Sequence, residues 1–247
     1  MTDQVQVSFG RRNVAPAEKT KLVQDVFARV AERYDVMNDI MSFGTHRVFK
    51  RMLVERSGLR PGGVVLDLAG GTGDMSALLA DVVGPDGWVA LTDLNPNMMR
   101  VGRDRLLDQG QTEVGFVQAP AEQLPYAENT FDCAVISFGL RNFTSKEVAL
   151  TELLRVLKPN GKLLVLEFSK PDDPLLGSLY KGFQSLWPAI GKAMVGDGAP
   201  YQYLVESIEK HPKQKALAMM MRDAGFQSVS YFDLIGGVAA IHEGSKA

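Results

Sequence analysis

The sequence predicts an α/β protein built on a doubly wound, mainly parallel sheet. Short β-branched apolar runs alternate with helical stretches from Val64 to Phe168. The first run, Val64-Val65-Leu66, ends at Asp67 and opens into Ala69-Gly70-Gly71-Thr72-Gly73 before a helix, the way such sheets bring backbone N–H groups to a nucleotide-like ligand. The chain has 247 residues, 45% of them hydrophobic and 23% charged, which suits one soluble α/β domain with a sizeable core.

Residues 1–20 are polar, lack periodicity and read as a loose arm. Leu22, Val26, Phe27 and Val30 predict an amphipathic helix from Lys21 to about Arg33. The segment Tyr34–Gly44 is dense in aromatic, methionine and small polar residues, and Arg47–Glu55 is a second helix. Residues 1–60 thus form an arm and a helical lid. After the turn Arg60-Pro61-Gly62-Gly63 come the strand Val64–Ala69, the helix Asp74–Val83, the strand Trp88–Thr92 and the helix Asn97–Asp108. The strands Val114–Gln118 and Thr130–Ser137, the helix Glu147–Leu157, a tight turn at Pro159-Asn160-Gly161 and the strand Lys162–Phe168 complete a core over 61–170. Residues 171–211 read as a helical insertion over the ligand edge of the sheet. The last segment, 212–247, holds a helix from Lys213 to Ala224, then the strands Phe226–Phe232 and Val238–His242, joined at Ile235-Gly236-Gly237.

A net charge of -2 argues against a general nucleic-acid binder. The single cysteine, Cys133, permits no internal disulfide and suits a reducing compartment. The sequence from Met1 lacks the basic-then-apolar pattern of a secretory signal. No uncharged apolar run approaches the ~18 residues that span a bilayer, so a soluble protein is expected, with any membrane contact peripheral. His46, His211 and His242 are scattered, and no metal site is expected.

The glycine turn alone admits several nucleotide-like ligands. Asp93 ends the second strand about 20 residues after it, placed to accept both hydroxyls of a ribose; the less favoured alternative is that Asp93 or Asn95 merely caps the next helix. Ser76 stands where a dinucleotide fold expects a third small residue, which weakens an NAD reading, and no P-loop is present. The loops Ala119–Pro125 and Ser137–Asn142 converge on the same crevice.

Together, Asp67-x-Ala69-x-Gly71-x-Gly73 and these loops resemble the class I S-adenosylmethionine-dependent methyltransferases, whose Rossmann-like fold also ends in an antiparallel hairpin. More narrowly, the chain resembles the UbiE/COQ5 family of quinone C-methyltransferases from about Phe9 onward. The resemblance rests on Tyr34-Asp35-x-Met37-Asn38-Asp39-x-Met41-Ser42-x-Gly44-x-His46-Arg47, on Leu66–Asp74, on Ile136–Asn142, and on Arg155–Pro159 through Leu166–Pro171. It implies S-adenosylmethionine contacts at Thr72, Asp93, Ala121 and Ser137, alongside Asp67, Gly71 and Gly73 of the turn. Phe49, Asn160 and Pro120 depart from the family pattern, where tryptophan, glycine and Asn or Asp are usual. Pro120 removes a side chain and a backbone donor from adenine recognition.

The implied reaction methylates a ring carbon of a polyprenylated hydroquinone, a benzoquinol or demethylmenaquinol. Ionising a phenol with pKa about 10 at pH 7 costs roughly 4 kcal/mol, and one pre-placed donor to the oxyanion contributes about 3 to 4 kcal/mol. Arg141 is the leading candidate for that donor, with Asn142, Tyr34 and Asp35 as orienting groups and His46 as a proton acceptor or lid residue. Met37, Met41, Trp187, Met194 and Met219–Met221 are candidates for an apolar tail channel. A lipid quinol further implies peripheral contact with the cytoplasmic face of the inner membrane, and the resemblance admits a quinone-biosynthesis complex and a homodimer. An NAD-dependent oxidoreductase and a non-catalytic quinone-binding subunit are the competing readings. A DNA or protein amino-methyltransferase is disfavoured, because the loop at Ser137–Leu140 is not of the Asn-Pro-Pro-Tyr type.

Overall fold

A computed structural model of the chain describes residues 6–247, except for the side chains of Asp35, Met194 and Val195. The chain opens with a hairpin of β1 (Val7–Phe9) and β2 (Arg12–Val14), followed by the helices α1 (Pro16–Val30), α2 (Tyr34–Ser42) and α3 (Thr45–Ser57). The alternating part runs β3 (Val64–Leu68), α4 (Asp74–Val83), β4 (Trp88–Asp93), α5 (Pro96–Asp108), β5 (Val114–Gln118), β6 (Phe131–Ser137), α6 (Lys146–Val156) and β7 (Leu157–Phe168). Helices α7 (Pro174–Val195), α8 (Ala199–Lys210) and α9 (Gln214–Asp223) lead to β8 (Gln227–Leu234) and β9 (Ala239–Ser245).

The main sheet has the order β5-β4-β3-β6-β7-β9-β8. Strands β3 to β7 pair in parallel, and β9 is antiparallel to both β7 and β8. Strand order reverses between β3 and β6, and a crevice at the carboxyl ends of strands is expected at such a switch point. The central strands β3, β4 and β6 are buried on both faces, which is why β3 reads as a continuous apolar run. Val65 packs with Leu53, Leu79 and Val89 on one face, and Leu66 and Leu68 pack with Leu150 and Leu153 on the other.

The arm is the main departure from expectation. Residues 7–14 form a hairpin that turns on Gly10 at φ +56°, and Phe9 stacks on Tyr203 of α8 at 4.5 Å. Helix α1 begins at Pro16, where a proline pre-sets the first turn. Its opening turn buries a lysine, Lys19, rather than an apolar residue, so hydrophobic periodicity does not mark the start. The turn at Pro159–Gly161 falls within β7, with Asn160 at φ +64°, and is absorbed by a register shift between Phe131 and Cys133. The final hairpin turns where expected, and its strands run on two and three residues past the expected ends, to Leu234 and Ser245.

The insertion is two helices broken at Gly196, φ +78°. Trp187, Tyr201, Leu204 and Ile208 bury against Met37 and Met41 of α2. The insertion therefore props the lid from behind; among the described residues, none of α7 or α8 lines the crevice at the switch point.

Candidate active site

Local backbone geometry builds the crevice. At the end of β3, Ala69 takes φ +59°, and at the end of β6, Phe138 takes φ +58°; both are left-handed conformations that disfavour side chains and concentrate at functional sites. The two loops touch: a Cβ on Gly139 would lie 2.6 Å from the Cβ of Ala69, so only glycine fits there. The turn itself needs Gly71 at φ +54° and Gly73 at φ +77°. Around it lies a cavity of about 350 Å³, roofed by Thr20, Gln24 and Phe27 of α1 with Tyr34 and Asn38 of α2.

Polar groups are fixed along its floor. Asp93 is half-buried, with one carboxylate oxygen accepting from the Gly71 N–H (3.0 Å) and the other from the Asn95 N–H (2.7 Å). Each oxygen accepts one N–H and has capacity for a further donor, while burial pushes the carboxyl above its ordinary value against those donors. Asn95 caps α5 with its own side chain, so capping and the Asp93 contact coexist. Asp67 is fully buried; burial raises its pKa to about 6, and the Ser76 hydroxyl donating to it at 2.6 Å opposes the rise. Lys50, on α3, pairs with Asp74 at 2.8 Å. Burial raises the Asp74 carboxyl, Lys50 lowers it, and the net shift is downward.

The expected cofactor residues Asp67, Gly71, Thr72, Asp93, Ala121 and Ser137 all line this cavity. Gly73 sits just behind it, at the start of α4, where a Cβ would strike Leu106 at 2.7 Å. Ser137 Oγ is buried with no hydrogen-bond partner, an orphan that a bound ligand would satisfy. These features fit S-adenosylmethionine: a carboxylate for the ribose at Asp93, and opposite charges at Lys50, Asp67 and Asp74 for the ends of its amino acid. Among the described residues, no group of three or more His, Cys, Asp or Glu side chains could hold a metal.

The expected catalytic residues separate. Tyr34 and Asn142 line the cavity. Arg141 does not. It is buried, pairs with Glu167 at 2.7 Å, donates also to the Phe138 carbonyl, and lines two smaller cavities beyond the crevice. One of these, lined also by Phe27, Tyr34, Met37 and Tyr203, shares Phe27, Tyr34 and Asn38 with the cofactor cavity. Tyr203 donates to the Asn142 Oδ1 at 3.0 Å. His46 is a correction: its Nδ1 is engaged by Ser42 Oγ at 2.7 Å, its Nε2 is 3.8 Å from Asp39, and it lines neither cavity. The Asp35 side chain lies outside the described residues, as does that of Met194. Met37, Met41 and Trp187 are core packing, Met221 is buried under α9 and Met219 is exposed, so these do not outline a channel.

The family described as the ubiE/COQ5 methyltransferase family matches residues 15–246. The chain belongs to it. It is 52% identical to the ubiquinone/menaquinone biosynthesis C-methyltransferase UbiE of Ectopseudomonas mendocina (strain ymp), over 96% of this chain and 94% of that one. UbiE of Pasteurella multocida (strain Pm70) is also 52% identical, over 96% and 90%. Among solved structures, an S-adenosylmethionine-dependent methyltransferase from Aquifex aeolicus superposes with a TM-score of 0.61 at 18% identity, over 95% of this chain and 100% of that one. The [4+2]-cyclase SpnF superposes with a TM-score of 0.68 at 18% identity, over 92% and 96%. Those two speak for the fold alone. As a ubiE/COQ5 member the chain is an S-adenosylmethionine-dependent methyltransferase, which removes the oxidoreductase reading.

Sequence reasoning passed over Lys50, Ser76 as a partner of Asp67, and Glu167. Glu167 carried a legible signal: a lone acid inside the buried run Leu163–Phe168 needs a partner.

Proposed function

We propose that the chain transfers a methyl group from S-adenosylmethionine to a ring carbon of a polyprenylated hydroquinone, a benzoquinol or demethylmenaquinol. The observation that carries this is 52% identity across nearly the whole of both chains to proteins named as ubiquinone/menaquinone biosynthesis C-methyltransferases. When bound, S-adenosylmethionine supplies an electrophilic sulfonium methyl. Asp93 accepts the ribose hydroxyls, Ser137 and the Ala121 backbone hold the adenine side, and Asp67 takes the ammonium group. Thr72, Gly71 and Gly73 shape the turn around it. The quinol ring sits where the cavities meet, between Tyr34, Asn38 and Asn142, with Arg141 behind. Tyr34, Asn142 and Asp35 orient it; alignment with the methyl removes the entropy of a bimolecular encounter. His46 serves the lid.

The tail places the reaction at a bilayer, on the cytoplasmic face. Among the described residues, no helix is long and apolar enough to cross a membrane. Support for peripheral contact comes from α2, its C-terminal cap Phe43 and α7, which expose Val36, Ile40, Phe43, Leu175, Leu179 and Leu186. Phe43 stacks on Phe183 and joins the two faces, and α7 carries Lys181 and Lys192 with no acidic residue, which suits an anionic surface. Purified protein incubated with methyl-labelled S-adenosylmethionine and a short-chain quinol should yield ring-labelled product. Cofactor binding without labelled product would favour a non-catalytic quinone-binding subunit.

A further inference from the structure

Apart from the cofactor cavity, with which it shares only Thr144, lies a polar cavity of about 190 Å³. The hairpin, α1, the Arg141 turn, the start of α6 and the end of α8 enclose it. Its charged lining is Lys19, Arg141, Lys146, Lys210 and Glu147, joined by His211. Arg141 is neutralised by Glu167, but among the described residues Lys19, Lys146 and Lys210 enter no ion pair. Lys19, 4% exposed, donates only to the neutral Phe143 carbonyl at 2.7 Å. Two further nitrogens are orphaned there: Nδ1 of His211, a residue 3% exposed, and Nε of Arg141.

The cations also act on one another. Burial and then Lys146 push the Lys19 ammonium down to about 8, and burial, Lys146 and Arg141 hold His211 well below its ordinary value. Three carboxylates face this cluster. Glu167 is committed to Arg141, and Glu122 accepts the Thr144 and Ser145 N–H groups at 2.9 and 3.0 Å. Glu147, at the exposed rim, is the third. Lysines that form no direct ion pair, beside unfilled buried donors, are what a bound anion relieves. At roughly 30 Å³ per water, the space suits one tetrahedral anion with a few waters.

We propose that this cavity binds an oxyanion of the phosphate class, held by Lys19, Lys146 and Lys210 with the Arg141 Nε and His211 Nδ1 as further donors. The anion clamps the hairpin and α1 to the turn that carries Arg141, so it steadies the lid from outside the cofactor cavity. Free phosphate and the phosphate of a lipid headgroup share this chemistry.

The test is thermal unfolding with inorganic phosphate replacing chloride at constant ionic strength. Wild type should rise saturably in Tm. Lys146→Gln should need at least ~tenfold more phosphate for half the effect, the loss of one charge-assisted contact. Lys213→Gln, which breaks only a surface pair with Asp172, should behave as wild type. Lys210→Gln, at the exposed end of α8, replaces Lys146→Gln if that variant loses S-adenosylmethionine binding. No rise in wild type, or an equal rise in the cavity variants, overturns the proposal, since an equal rise is only the general effect of an excluded salt. Vesicles containing phosphatidylglycerol separate the sources. Capture that inorganic phosphate and Lys146→Gln both abolish assigns the headgroup; capture unaffected by either, beside a saturable phosphate response, assigns the free anion.

Discussion

Glu167→Gln tests the Arg141–Glu167 pair. The two side chains are 3% and 1% exposed, so neither charge has solvent to fall back on. The carboxylate also accepts the backbone N–H groups of Arg141 (3.1 Å) and Phe168 (2.9 Å). Glutamine keeps the shape but offers one acceptor where two are used, and it leaves a guanidinium that cannot shed its proton. Removing one partner of a buried pair costs about 3–5 kcal/mol. At about 2–4 °C per kcal/mol for a chain of this size, Tm should fall by about 6–20 °C. Arg141→Leu should cost less, because a lone Glu167 can take up a proton. Arg141→Leu/Glu167→Gln should be milder than the sum of the singles by about 2–3 kcal/mol. The assay is denaturant unfolding of all four proteins by circular dichroism. Additivity within about 0.5 kcal/mol would refute a coupled buried pair.

Asp93→Ala should weaken S-adenosylmethionine binding at least tenfold by calorimetry, the loss of charge-assisted bonds of about 1.5–3 kcal/mol; unchanged affinity rejects the ribose role. Because the Asp67 carboxyl titrates near 6 when folded, against an ordinary 3.8, the native state binds the extra proton between those values. Its contribution to stability therefore falls as pH rises from about 4 to about 6 and is level above. Cofactor affinity should rise through the same window if ionised Asp67 meets the ammonium, and Asp67→Asn should flatten that profile. Ala69→Gly should raise stability by about 1 kcal/mol by releasing a left-handed Cβ at φ +59°; a loss would mean that its contact with Gly139 matters more. Leu175→Glu/Leu179→Glu should reduce co-sedimentation with anionic vesicles while turnover of a short-chain quinol stays unchanged; undiminished binding would place the membrane contact elsewhere.

The sheet was legible because buried parallel strands announce themselves as apolar runs, and the glycine turn announces itself by dihedral need. Asp93 was legible by spacing. What escaped depends on contacts between distant segments. Lys50 lies 24 residues from Asp74, and Arg141 lies 26 from Glu167, so neither pairing follows from local pattern. The hairpin at Val7–Val14 gains its stability from α8, where Phe9 stacks on Tyr203 and a Cβ on Gly10 would collide with Glu206, and nothing local in eight residues foretells those distant contacts. Ser76 was legible only in part. Its place after the glycines rightly weakened a dinucleotide reading, but its hydrogen bond to Asp67 shows only in the fold.

The counter-ion changes how Arg141 serves the proposed chemistry. A phenolate about 4 Å from a lone guanidinium gains about 4 kcal/mol at an effective dielectric of about 20, enough to offset its ionisation. With the Glu167 carboxylate, 2.7 Å from the guanidinium, taken as about 3 Å farther from the phenolate, about 2.4 kcal/mol of repulsion is returned. The pair then acts as an oriented dipole worth about half the requirement. The remainder falls to directional donors at the cavity junction. Tyr203 occupies the Asn142 Oδ1, which leaves the Asn142 amide hydrogens to donate, and Asn142 alone of the two faces the cofactor cavity. In the proposed reaction, Arg141 and Asn142 would thus divide the work between charge and geometry. Such a dipole stabilises a phenolate only when the ring is seated, so the enzyme carrying its cofactor alone need not hold an open cation beside the sulfonium.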